Sequence, residues 1–98
     1  NIDILRIQTI KDVESKKLDL KDAFDTFYFI IEEIGYYYAP FIDYFKDNLK
    51  PIFEVGRTVI EEMENTVSKF KDSEDQELYQ RSETELEELK TQYGYLFE

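Results

Sequence analysis

The sequence predicts an all-α fold, a small bundle of about four helices around a central aromatic-rich helix, with proline kinks allowed in the longer ones. Three observations carry this. Apolar residues recur at alternating steps of three and four through most of the chain, the spacing of one helical face. Polar stretches near 15–18 and 69–77, and Pro40 between them, interrupt that spacing and divide the chain into segments. Ten of the sixteen aromatic residues fall between Phe24 and Phe45, so that this stretch is the natural core. A chain of 98 residues, 42% hydrophobic and 16% aromatic, is expected to form one acidic helical domain over 1–98.

The first helix is expected over 3–17, with Asp3 as its cap and Ile4, Ile7, Ile10 and Val13 as apolar positions beside Ile2 and Leu5. It should cover one flank of the central helix. Isoleucine-rich segments also suit edge strands, and steps of three alone drift around a helix.

The central helix is expected over 19–38. Leu20, Phe24, Phe27, Ile31, Ile34 and Tyr38 follow at steps of four, three, four, three and four, and Ala23, Ile30 and Tyr37 widen the stripe. Asp19 stands where the N-cap belongs, and Asp22 favours the positive end of the helix dipole. The run Phe27-Tyr28-Phe29-Ile30-Ile31 would suit a buried strand if taken alone; the surrounding periodicity decides for helix. At ~100° per residue, however, five consecutive large residues point around more than a full turn. Either other helices cover this one on several sides, or a second apolar face meets another molecule.

The third helix is expected over 41–71, with a kink near Pro51, since proline inside a helix lacks the donor for one backbone bond. Its stripe is Ile52, Gly56, Val59, Met63, Thr66 and Phe70. Gly56 lies on the inward face, where the missing side chain lets another helix or an aromatic ring of the central stretch come close. The fourth helix is expected over 74–93, opened by a capping box of Ser73 and Gln76 and carrying a thin stripe of Tyr79, Ser82, Leu86, Leu89, Tyr93 and Leu96. Gly94 should end it, leaving Tyr95-Leu96-Phe97 as an apolar tip that folds back or binds something.

Composition narrows function. The net charge of −11 opposes direct binding of nucleic acid or anionic lipid, and leaves a basic protein partner open. Residues 51–98 hold thirteen of the acidic side chains against five basic ones, so the acidity belongs to the second half. Without histidine or cysteine, the chain lacks the commonest zinc ligands, the commonest general base and the thiol nucleophile. No enzyme, cofactor or metal is expected. Glu61 and Glu64 resemble the glutamate pairs with which some all-α pyrophosphatases hold magnesium, but Met63 between them is on the stripe, so they should flank the core and face water. The most apolar 19-residue window contains Glu32, Glu33 and Asp43, which argues for a soluble protein with no membrane span. Location stays open, with the cytoplasm favoured. The chain opens on Asn1 rather than methionine, which suggests a trimmed or processed product or a piece of something longer.

The expected function is protein–protein interaction without catalysis, most simply self-association into an oligomer. The contact residues are those that one core cannot easily absorb: Tyr28, Tyr36, Tyr37, Tyr44, Tyr95 and Phe97. The alternative is an acidic inhibitor or DNA mimic, whose carboxylates would occupy the basic groove of a nucleic-acid-binding partner. Its working surface would be Glu61, Glu62, Glu64, Asp72, Glu74, Asp75, Glu77 and the glutamates of the last helix. Phe70-x-x-x-Glu74 and Tyr79-x-x-x-Glu83 loosely resemble the secretion signal of type VII helical-hairpin substrates, which would imply a secreted helical hairpin. The Trp-x-Gly turn of that family has no counterpart in a chain without tryptophan.

Overall fold

The computed structural model describes residues 2–97, with the side chains of all of these except residues 2, 3, 45 and 46. They form four helices, α1 (Ile2–Glu14), α2 (Leu20–Tyr38), α3 (Ile42–Phe70) and α4 (Gln76–Tyr93). A 3-10 turn, Ala39–Phe41, joins α2 to α3, and a second, Gly94–Phe97, closes the described chain. The bundle measures 46 × 27 × 17 Å. Helix α2 lies at its centre, packing most extensively on α3 and touching both α1 and α4.

Local chemistry sets each boundary. Helix α1 begins at Ile2, ahead of Asp3, which was expected to cap it, and stops at Glu14 rather than at 17. The stop is a Schellman motif. Lys16 takes a left-handed φ of 63°, the Lys17 amide donates to the Asp12 carbonyl at 2.8 Å and the Lys16 amide donates to Val13 at 3.1 Å. Asp19 caps α2 as expected, its Oδ1 accepting the Asp22 amide at 2.9 Å. Proline at 40 falls in the 3-10 turn, while Pro51 lies inside α3 without ending it. At α4 the expected box at Ser73 gives way to Asp75, whose Oδ1 accepts the Leu78 amide at 2.9 Å. A carboxylate there meets the positive end of the helix dipole, an advantage that the Ser73 hydroxyl lacks. Gln76 instead reaches back, donating to the carbonyls of Ser73 and Lys71 at 2.8 and 3.1 Å.

Ala23, Phe24, Phe27, Ile30, Ile31 and Ile34 form the buried face of α2, and meet Phe53, Val59, Met63, Val67 and Phe70 of α3 and Leu86 and Leu89 of α4. The rings of Phe24 and Phe70 lie 6.5 Å apart, tying the start of α2 to the end of α3. Helix α1 departs from expectation. Ile10 and Val13 pack on the core, but Ile4 and Ile7 are exposed and Thr9 is buried in their place, its hydroxyl donating to the Leu5 carbonyl at 2.7 Å. Nine residues at ~100° each put Ile4 about 180° from Val13, so one flank cannot hold both.

Two glycines fix the close contacts. A methyl group at Gly35 would overlap the Tyr93 ring, with Cζ at 2.7 Å, and one at Gly56 would overlap the Phe97 ring, with Cδ1 at 2.7 Å. Gly56 therefore does admit an aromatic ring, but from the closing turn rather than from the central stretch. Phe97, expected among the exposed contact residues, is only 5% exposed for the same reason.

Candidate interaction surface

The end of α2, the 39–41 turn, the start of α3 and the closing turn meet at one end of the bundle, joined by Tyr93 over Gly35 and Phe97 over Gly56. Tyr36, Tyr37, Phe41, Tyr44 and Tyr95 all lie on these elements and are all exposed, Tyr36 to 72% and Tyr44 to 81%. On α2 the buried positions 23, 24, 27, 30, 31 and 34 leave 25, 29, 32 and 36 on the outer face. Tyr36 is outside for that reason, and so is Phe29. The Tyr36 and Tyr37 rings meet edge to face, 5.1 Å apart at 87°.

A ring of this size carries about 150–250 Å², so these five rings, between 49% and 81% exposed, together present roughly 600 Å². The sum is somewhat below the roughly 800 Å² per partner of a standard interface. Beside Tyr95 runs a groove of about 480 Å³, lined by Phe53, Leu96 and the charged pairs Asp47 with Glu54 and Lys50 with Arg57. Two acids and two bases line it. This stretch is locally balanced in a chain of net charge −11.

Four of the six residues expected as contacts, Tyr36, Tyr37, Tyr44 and Tyr95, are exposed. The other two are not. Tyr28 sits half-buried against the core, its ring 6.4 Å from that of Phe24. Burial, with the charges of Glu32, Glu85 and Glu88, raises its phenol pKa above the ordinary value. Phe97 is in its glycine socket. Phe29 and Phe41 are exposed aromatics that the sequence reading did not single out. Phe41 follows Tyr38 by three and Phe45 follows Phe41 by four, a spacing equally open to a kinked continuation or a clean turn; a 3-10 turn at 39–41 separates the two helices.

The carboxylates of α3 and α4 are partly engaged with their neighbours. Lys90 Nζ lies 3.2 Å from Glu64 and 3.9 Å from Glu87, the Tyr79 hydroxyl donates to Glu83 at 2.8 Å, and Asp75 serves as a cap. The hydrogen bond to Glu83 raises the Tyr79 pKa. Among the described residues, no three His, Cys, Asp or Glu side chains are grouped to hold a metal ion, and no helix is long and apolar enough to cross a membrane. A second groove, of about 620 Å³, lies at the opposite end between the 15–19 and 71–75 turns, floored by Leu20, Phe70 and Leu78 and rimmed by Lys16, Lys21 and Lys69. No protein-family model, curated protein or solved structure matches this chain.

Proposed function

We propose that this chain is a non-catalytic interaction domain that self-associates through the aromatic end of the bundle. The observation that supports it is the exposure of Tyr36, Tyr37, Phe41, Tyr44 and Tyr95 on the end of α2, the 39–41 turn, the start of α3 and the closing turn. Tyrosine suits such a role, because its ring gives apolar area while its hydroxyl tolerates water when the partner is absent. The locally balanced charge beside Tyr95 lets two acidic copies approach at that end and not along α4. With roughly 600 Å² per copy, the pair falls at the lower limit of stable interfaces, and a reversible, concentration-dependent dimer is expected. The acidic-inhibitor reading has less support, since Lys90 and Tyr79 already engage Glu64, Glu87 and Glu83.

The test is the weight-average mass by light scattering across a concentration series, at low and high salt. The mass of the unmodified chain should rise toward that of a dimer at both salts. Tyr36→Ser with Tyr44→Ser should weaken the association tenfold or more at unchanged helix content. A strict monomer throughout refutes the proposal.

A further inference from the structure

The closing turn is held like a bound peptide. Leu96 and Phe97 are both buried, the Phe97 ring lies on Gly56 and meets Phe53 edge to face at 6.2 Å, and Arg57 Nε donates to the Phe97 carbonyl oxygen at 2.6 Å. The α3 surface thus offers a hydrophobic socket, a ring to stack on and a donor for one backbone carbonyl. Those are the elements by which a groove recognises a short segment of chain.

The joint that carries this segment differs from the other two glycines. A Cβ at Gly94 would find only Lys90 Cβ, at 3.8 Å, and the φ of −57° is open to any residue. Neither packing nor backbone conformation demands glycine there. What glycine alone supplies at that position is freedom to adopt other conformations. Three residues beyond it reach about 10 Å, enough to leave one socket and enter a neighbouring one.

We infer that the Gly56 socket of one copy takes the Gly94–Phe97 segment of a second copy, in reciprocal exchange. This rests on the self-association reading and gives it a mechanism. The exchanged segment makes the same contacts in the partner's socket as in its own, so opening is offset by closing, and association needs only the added contacts. The groove beside Tyr95 shares Phe53 and Arg57 with the socket, so exchange brings the Tyr95 side of each copy against the other.

The experiment is complementation. Gly56→Leu blocks the socket but keeps the segment; Phe97→Ala keeps the socket but removes the ring. Each variant alone should dimerise at least tenfold more weakly than their equimolar mixture, in which the segment of the first fits the socket of the second, as read by sedimentation with one variant labelled. Circular dichroism checks that both are helical; if either has unfolded, the milder pair Gly56→Ala and Phe97→Leu replaces it. A mixture that behaves as the sum of its parts overturns the exchange. If the unmodified chain still dimerises in that case, self-association through the aromatic end survives without exchange; if it stays monomeric, both fail. Binding of a labelled peptide of residues 91–97 to the Phe97→Ala variant, without a heterodimer, also overturns exchange and leaves the socket to a foreign peptide.

Discussion

Gly56→Ala should change sign with the residue at position 97. In the interior of a helix, glycine to alanine ordinarily stabilises by about 1 kcal/mol, because the backbone loses less freedom on folding. Here the new methyl group overlaps the Phe97 ring, which sits at the end of a short turn that can lift away. Lifting it forfeits the burial of a side chain only 5% exposed, and removing a buried phenylalanine costs 3–5 kcal/mol. The lower value, about 3 kcal/mol, applies where the surroundings can close in, as at a short 3-10 turn. The net expectation is a loss of about 2 kcal/mol for Gly56→Ala.

With Phe97→Ala already present, the methyl group enters vacated space, and the same substitution should now stabilise by about 1 kcal/mol. The two backgrounds therefore differ by about 3 kcal/mol, an interaction energy that belongs to the ring on the glycine. Urea unfolding followed by circular dichroism, at a concentration low enough to keep each variant monomeric, measures all four corners of the cycle. Stabilisation by Gly56→Ala in both backgrounds would show that the ring slides aside at no cost, and would refute the socket. An equal loss in both would place the damage elsewhere in α3.

Two further outcomes concern stability alone. Ser82 is buried to 1% exposure and its Oγ has no hydrogen-bond partner, so Ser82→Ala should raise unfolding stability by about 1 kcal/mol, and a decrease would mean that the hydroxyl is engaged. Lys16 holds a left-handed φ of 63° at the Schellman end of α1, and Lys16→Gly should also stabilise by about 1 kcal/mol; no change in the urea midpoint would refute strain at that position.

The four helices and most of their ends were legible because the signals are local. Leu20, Phe24, Phe27, Ile31 and Ile34 share one face whatever surrounds them, and Asp19 can serve its cap without help from another segment. Helix α1 was legible as a helix but not as a packed face: a run of apolar residues at steps of three points in several directions, and only contact with α2 selects Thr9, Ile10 and Val13. Exposure at the α2–α3 end was half legible. Tyr36, Tyr37, Tyr44 and Tyr95 stood out as a surplus of rings, whereas Phe97 looked equally surplus until a partner 41 positions away in sequence received it. Gly56 marked the site of a close approach, but no periodicity in the chain names which ring will come.

Charge makes the direction of the salt effect the sharpest discriminator between the two functional readings. Two copies of net charge −11 repel, and the range of that repulsion falls from about 30 Å at 0.01 M salt to about 10 Å at 0.1 M. Thirteen of the carboxylates lie in residues 51–98, and those of α4 occupy a different region from the aromatic end, where Asp47 and Glu54 are matched by Lys50 and Arg57. Long-range repulsion therefore opposes approach in dilute salt, while the contact itself asks for little charge rearrangement. Added salt removes the repulsion and also strengthens the burial of apolar rings. Aromatic self-association must then tighten with ionic strength. A surface of carboxylates acting on a basic partner must weaken, because the attraction that holds it is the quantity being screened.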